Sequence, residues 1–188
     1  MIVGLLLAAG DGRRFGGDKL LAPLNGVPIA AHSARALQVA TDRSVAIVRP
    51  QDAALQGVLE TEGMEVVVCA QAHGGMGFSI ACGVAATADA AGWIVALGDM
   101  PFVRPQTIAR LVQKLREGAP LVAPFYQAQR GHPVGFGATF AAALEGLRGD
   151  QGARCLLQAH IQELIRMPCE DPGVLRDIDR RSDLEHSA

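Results

Sequence analysis

No stretch of this 188-residue sequence stays apolar for the roughly 18 residues that a membrane-spanning helix needs. The longest candidate, Ile2 to Ala9, is preceded by no basic residue and followed by Arg13, Arg14 and Lys19, the reverse of a secretory signal, so a cytoplasmic location is expected and no membrane partner. The chain also lacks an excess of charge. Its 17 Lys plus Arg stand against 19 Asp plus Glu, a net of −2, which provides no global field for a polyanion and argues against a general nucleic-acid binder. Any phosphate recognition must be local. The four cysteines, at 69, 82, 155 and 169, form no CxxC pair and have no matching histidine spacing. Neither a zinc site nor a disulfide framework is expected from them, and reduced thiols are the simplest reading. Repeats, low-complexity tracts and linkers are missing as well.

What is present is an alternation of short apolar runs with stretches of helical spacing, the pattern of a parallel sheet covered by helices. Strands are expected at Ile2 to Leu7, Ser44 to Val48, Glu65 to Cys69, Trp93 to Leu97 and Leu121 to Pro124. Helices are expected at Pro28 to Ala40, Gln51 to Glu62, Gly77 to Ala88 and Pro105 to Glu117, with Pro28 and Pro105 suited to a first helical turn. After Arg130 the alternation is less regular: a strand over Gly131 to Phe136, helices over Ala138 to Leu147 and Gly152 to Ala159, and a strand over Ile161 to Met167. A chain of this length buries roughly 70% of its unfolded surface around one core, so a single α/β domain suffices.

The strongest chemical signal directly follows the first strand: Leu7-Ala8-Ala9-Gly10-Asp11-Gly12-Arg13-Arg14-Phe15-Gly16-Gly17-Asp18-Lys19. Its glycines let successive N–H groups face one concavity and cradle phosphate oxygens, while Arg14 and Lys19 add charge. Arginine clamps a phosphate with paired hydrogen bonds, and lysine is a compact charge that can follow a reacting phosphoryl group. A Walker loop is excluded because Lys19 precedes Leu20, and the dinucleotide fingerprint because Phe15 stands where its third glycine belongs.

A second signal, Ala96-Leu97-Gly98-Asp99-Met100-Pro101-Phe102, ends an apolar strand in a carboxylate. Ligands of open α/β sheets bind beyond the carboxyl ends of the strands, which puts Asp99 on the same rim as the glycine loop, where it suits Mg²⁺ held together with phosphate oxygens. Alternation along Leu175 to Leu184 puts Asp177 and Asp179 on one face of an extended segment. Spacing alone does not separate these from solvated carboxylates neutralised by Arg180 and Arg181. Gly74-Gly75-Met76-Gly77-Phe78-Ser79-Ile80 is a glycine-rich helix entry that could shape a nucleotide pocket or simply cap the helix. Arg130-Gly131-His132-Pro133-Val134 sets a cation and an imidazole beside a strand, and His132 alone is compatible with a structural role.

Together with Leu20-Leu21-Ala22-Pro23-Leu24, these segments resemble the MobA-like nucleotidyltransferases, and within them the molybdenum cofactor cytidylyltransferases. The resemblance runs from residue 2 to about 184. It implies a Rossmann-like three-layer fold with a mostly parallel central sheet flanked by helices, one domain over 1–184 and a polar tail over 185–188. It further implies transfer of CMP from CTP to the phosphate of the molybdenum-pterin cofactor, with release of pyrophosphate and with Mg²⁺ as cofactor.

On that resemblance Arg14, Lys19 and Asp99 carry catalysis, and Leu7, Ala8, Ala9, Gly10, Gly12, Arg13, Gly75, Gly77, Ser79 and Gly98 join them in binding the nucleotide. Met100, Pro101, Arg130 and His132, with the segment Gly149 to Arg154, face the pterin. Asp99 and Asp179 hold metal, with Asp177 as the fallback. Alanine at position 9 favours the cytidylyl over the guanylyl branch, which tends to carry glycine there. The alternatives are guanylyl transfer to the same pterin, cytidylyl transfer to another phosphorylated acceptor, and a non-catalytic protein that delivers the cofactor. Transient contact with a molybdoenzyme or its chaperone would follow.

Overall fold

The apolar run Ile2–Leu7 forms β1, and every one of its residues is buried, as a strand covered on both faces must be. This is seen in a computed structural model that describes residues 1–10, 12 and 14–185. A short hairpin of β2 (Pro23–Leu24) and β3 (Val27–Pro28) follows, then α1 (Ile29–Gln38), β4 (Arg43–Val48), α2 (Ala53–Thr61), β5 (Glu65–Val68), α3 (Met76–Ala85) and β6 (Gly92–Leu97). The second half contains α4 (Pro105–Arg116), β7 (Leu121–Tyr126), β8 (Gln129–Arg130), β9 (Val134–Gly137), α5 (Ala141–Glu145), α6 (Arg154–Ala159), β10 (Leu164–Pro168) and α7 (Ser182–Glu185).

Among the described residues the sheet runs β10-β7-β9-β6-β1-β4-β5, with β8 paired to β7. β1 lies parallel to both β4 and β6, β4 parallel to β5, and β10 parallel to β7; β9 enters antiparallel between β6 and β7. The order therefore reverses at β1, whose chain neighbour β4 lies on one side and β6 on the other, and such a reversal opens a crevice at the strand ends. The expected mostly parallel, helix-flanked sheet is what forms. Alternation along β1 divides the core: Ile2 and Leu6 pack with α1, α2 and α4, whereas Val3, Leu5 and Leu7 pack with α3, α5 and α6. Truncating one such fully buried leucine to alanine costs about 2–5 kcal/mol.

Three expectations need adjustment. Pro28 closes β3 rather than entering the helix, so α1 begins at Ile29; Pro105 does occupy the first turn of α4. The strand expected from Gly131 begins only at Val134, because Gly131 and His132 donate their N–H groups to Pro124 and Val174 instead of to a ladder. The reading of four reduced thiols is corrected as well. Cys69, just past β5, and Cys82 on α3 are joined as a disulfide, their Cα atoms 6.1 Å apart. Their separation of 13 residues matches no short motif, and only the packing of α3 against the β4–β5 edge brings them together. Cys155 and Cys169 are free.

Candidate active site

Leu7 and Leu97 end β1 and β6 in register, and Gly98 donates its N–H to the Leu7 carbonyl at 3.0 Å. The glycine loop and Asp99 therefore leave adjacent strands at one rim, as their separate positions in the sequence suggested. Ser33 of α1 fixes this corner from below, its hydroxyl donating to the Gly98 carbonyl at 3.0 Å. Gly12 takes a φ of 57°, a left-handed value that glycine adopts without strain, and its carbonyl accepts from the N–H of Phe15 at 3.0 Å, turning the loop back on itself. Gly16 and Gly17 also have positive φ.

The loop faces the segment 177–181, which the tertiary structure delivers from the far end of the chain. Ile178 donates its N–H to the Asp99 carbonyl at 2.9 Å, locking this segment beside the end of β6. Asp171 anchors it one step earlier: buried, its carboxylate accepts from the Arg104 N–H, the Thr107 hydroxyl and the Gly173 N–H, which ties the approach to the first turn of α4. No motif marks this role along the chain, since an Asp-Pro pair reads as an ordinary turn.

Lys19 then lies between two carboxylates. Its Nζ is 2.6 Å from Asp99 Oδ2 and 3.7 Å from Asp179 Oδ1. Arg14 pairs with the other oxygen of Asp179 at 2.5 Å, and Arg181 lies over the Phe15 ring at 5.1 Å from its centroid. The expected phosphate-binding cations are thus held by the expected metal-binding carboxylates. Asp177 is close enough to feel Asp99 and Asp179, and burial together with those two charges raises its pKa, partly offset by a backbone hydrogen bond and Lys19. Among the described residues no three His, Cys, Asp or Glu side chains converge as a metal cage. Two hard carboxylates already arranged around a cation do fit Mg²⁺, which keeps its waters and takes one or two carboxylates plus substrate phosphates.

A cleft of about 270 Å³ runs from this ionic cluster along the start of α3, lined by Leu7, Ala9, Gly10, Lys19, Gly75, Ser79 and Asp99 of the expected set. His73, Met76 and Asp150 also line it. His73 had no motif to mark it, Met76 lay within the glycine-rich helix entry without a role of its own, and Asp150 lay within a segment expected at the pterin. Gly75 and Gly77 act by close approach. A β-carbon on Gly77 would fall 2.8–2.9 Å from the Arg148 backbone, and one on Gly75 within 2.4–2.6 Å of Gly149 and Asp150, so both glycines let the 148–150 loop seal one end of the cleft.

Of the remaining expected residues, Ala8 is buried beneath the loop, and Gly98 forms the backbone link between β1 and β6. Met100 packs into the core behind Asp99 rather than lining the cleft, because the turn after Asp99 rotates it inward; Pro101 is half-buried beside it. Arg13 lies outside the described residues, as do positions 186–188 of the expected tail. Arg130 and His132 line a neighbouring chamber that shares Met76, Leu97 and Asp150 with the cleft. Burial, then the Arg130 charge, pushes the His132 pKa down to about 4, against a smaller upward pull from Asp99. The imidazole is therefore neutral at pH 7. No helix of the described residues is long and apolar enough to cross a membrane.

Comparison with known proteins bears on the family and the fold. The chain is 31% identical to the purine catabolism protein PucB of Bacillus subtilis over 95% of its own length and 91% of that protein's. It is 31% identical to the nicotine blue oxidoreductase of Paenarthrobacter nicotinovorans over 95% and 92%. A probable molybdenum cofactor guanylyltransferase of Thermococcus sibiricus is 32% identical over 64% of this chain and 60% of its own. Among solved structures, Rv0371c of Mycobacterium tuberculosis in complex with manganese superposes with a TM-score of 0.81 at 25% identity, covering 99% of this chain and 97% of that one. A nucleotidyl transferase of Methanothermobacter shares the fold, with a TM-score of 0.85 at 23% identity over 99% and 95%. The MobA-like NTP transferase domain matches residues 4–164, and the chain belongs to that family.

Proposed function

We propose that the chain is a divalent-metal-dependent cytidylyltransferase that joins CMP from CTP to the phosphate of the molybdenum-pterin cofactor and releases pyrophosphate. The observation that carries this reading is the position of Lys19 between Asp99 and Asp179 at the end of a cleft walled by the glycine loop and the start of α3. In this reading residues 1–184 act as one domain. The nucleophile is a phosphate monoester oxygen, already largely ionised at neutral pH because its second pKa is about 6, so no protein base is required. That oxygen forms a bond to the α-phosphorus of CTP while the bond to the β-phosphate breaks, and pyrophosphate leaves with the electron pair.

The protein's part is to hold two anions together and in line. Amides of the loop from Gly10, with Arg14 and Lys19, cradle the triphosphate; Ala9, Gly75, Gly77 and Ser79 border the nucleoside. Asp99 and Asp179 would hold Mg²⁺, which supplies charge neutralisation on the phosphates. The manganese complex of Rv0371c supports a divalent ion in this fold. With triphosphate bound, Lys19 and Arg14 would pair with phosphate oxygens in place of Asp99 and Asp179, which would leave those two carboxylates to hold the metal.

Guanylyl transfer to the same pterin is the second reading, favoured by the Thermococcus relative's name. Ala9 lines the cleft and separates the two readings by one methyl group. The test is pyrophosphate release with molybdenum cofactor, Mg²⁺ and either CTP or GTP. The expected result is turnover with CTP, shifted toward GTP in Ala9→Gly. Turnover of the wild type with GTP alone overturns the cytidylyl assignment, and CTP binding without pyrophosphate release in the presence of any phosphorylated acceptor overturns transfer itself.

A further inference from the structure

The Cys69–Cys82 bond closes a ring over residues 70–81, and that ring carries one wall of the nucleotide cleft: Ala72, His73, Gly75, Met76 and Ser79 all line it. One end of the ring is fixed to the sheet, where the Cys69 N–H donates to the Val48 carbonyl at 2.9 Å. The other end is α3 itself, which carries Cys82.

Between these ends the lip 70–75 is held by short-range bonds. Gly74 donates its N–H to the Gln71 carbonyl at 2.9 Å, Gly75 to the Ala72 carbonyl at 3.1 Å, and His73 Nδ1 lies 3.0 Å from the Ala70 carbonyl. Among the described residues, the backbone hydrogen bonds of 70–75 all stay within 69–78, and Ala72 supplies the buried apolar contact. Gly74 and Gly75 add backbone freedom, so a lip without the bridge has more conformations to lose when a ligand orders it. The 148–150 loop packs on Gly75 and Gly77, which passes any shift of the lip to the loop that seals the cleft.

The bridge is reachable from one side. Cys69 is buried, whereas Cys82 is half-buried, so an incoming thiolate meets the Cys82 sulfur and Cys69 is the leaving sulfur. The Cys69 sulfur lies 3.6 Å from the Phe78 carbonyl, an acceptor in place for the S–H that forms when the released thiolate takes up a proton. That contact keeps the two cysteines within reach, and the bond can re-form on oxidation.

We propose that Cys69–Cys82 is a thiol–disulfide exchange site through which a small dithiol lowers the affinity of the adjacent cleft for nucleotide. One thiolate of the dithiol bonds to Cys82 Sγ, the Sγ–Sγ bond breaks, and Cys69 leaves with the electron pair and is protonated. The second thiol of the reductant then displaces Cys82 from the mixed disulfide. The dithiol is oxidised by two electrons to its own disulfide, and the protein gains two thiols. This rests on nucleotide binding in the cleft, the first step of the proposed transfer, and adds to it a control by redox state. Bridge and nucleotide favour the same ordered wall, so each strengthens the other by an equal factor.

The experiment takes the full chain, oxidised with glutathione disulfide or reduced with dithiothreitol, and titrates each form calorimetrically with CTP–Mg²⁺. Circular dichroism checks that both forms are folded. The reduced form is expected to bind about fivefold weaker or more. Cys82→Ala should match the reduced form under both conditions, while Cys155→Ser, which removes the exposed free thiol, keeps the full response. The reciprocal reading is the equilibrium with dithiothreitol, followed by thiol alkylation: saturating CTP–Mg²⁺ should shift it toward the disulfide by the same factor. A bridge that serves stability alone leaves both readings unchanged. Equal affinity of the two folded forms, a thiol equilibrium indifferent to CTP, four thiols remaining after treatment with glutathione disulfide, or a wild type that binds CTP–Mg²⁺ in neither form overturns the proposal. The parent reading fails separately: no pyrophosphate release, with redox-dependent CTP binding intact, removes the transfer reaction and leaves the exchange site standing.

Discussion

Lys19 Nζ lies 2.6 Å from Asp99 Oδ2, joining the end of the glycine loop to the end of β6 across 80 residues of sequence. This pair is largely shielded from solvent, with side-chain exposures of 11% and 24%, so it is screened less than a surface ion pair. Mg²⁺ binding alone would strand Lys19, and nucleotide alone would strand Asp99. The two ligands should therefore bind with positive coupling of about 1–3 kcal/mol, or roughly 5–150-fold. Calorimetric titration of CTP with and without Mg²⁺ reads this directly; equal affinity in both arms defeats it.

Lys19→Ala should reduce turnover by roughly 10²- to 10³-fold, about 3–4 kcal/mol, by removing a charge aimed where negative charge builds up in the transition state. Circular dichroism should show the fold retained. A variant with near wild-type kcat removes Lys19 from the reaction.

Arg14 differs because its pair with Asp179 is open to water, the guanidinium being 74% exposed. Such pairs contribute about 0–1 kcal/mol to stability. Arg14→Ala should leave the urea midpoint almost unchanged while raising the CTP KM by about tenfold or more, in line with loss of a charge-assisted hydrogen bond. An unchanged KM would mark Arg14 as a surface residue.

A methyl group at Gly77 has nowhere to go, since the Arg148 backbone stands 2.8–2.9 Å from the position it would take. Gly77→Ala should force the 148–150 loop off α3, at a cost of about 1–3 kcal/mol, and weaken nucleotide binding. Denaturant unfolding and CTP titration on the same sample check both effects; wild-type values in both would show that the loop yields freely.

His132 gives a pH dependence. Its pKa is about 4 in the fold against an ordinary 6.5, so between these values the unfolded chain binds more protons than the native one. Stability should fall as pH drops from 6.5 toward 4, by up to about 3 kcal/mol from this group. His132→Gln should flatten that portion of the stability profile. An identical acid slope in both proteins would assign it to other groups.

Reduction of Cys69–Cys82 should lower stability by about 3 kcal/mol, as expected for closing a loop of this length. Alkylation under non-reducing denaturing conditions should label two thiols, Cys155 and Cys169. Four labelled thiols would show the bond absent from the purified protein.

Much of the sheet was legible because β1, the Val45–Val48 part of β4, and β6 are apolar on consecutive positions, as strands covered on both faces are. The antiparallel entry of β9 was not, since Val134–Gly137 reads the same in either direction. The glycine loop and Asp99 were visible through the chemistry of their residue types. Asp171 and the pairing of Cys69 with Cys82 were invisible because each acts through a partner remote in sequence.

By itself the sequence determined which groups could meet a phosphate: a glycine-rich turn after a buried strand, two cations on it, and carboxylates at a strand end and near the C-terminus. The tertiary structure decided which of those charges meet, with Lys19 between Asp99 and Asp179 and Arg14 on Asp179, while among the described residues no carboxylate pairs with Arg130 or Arg154. The reason is physical. Backbone propensity and apolar periodicity are local and can be read along the chain, whereas the energy of a charge depends on which other charges the fold brings within a few ångströms of it.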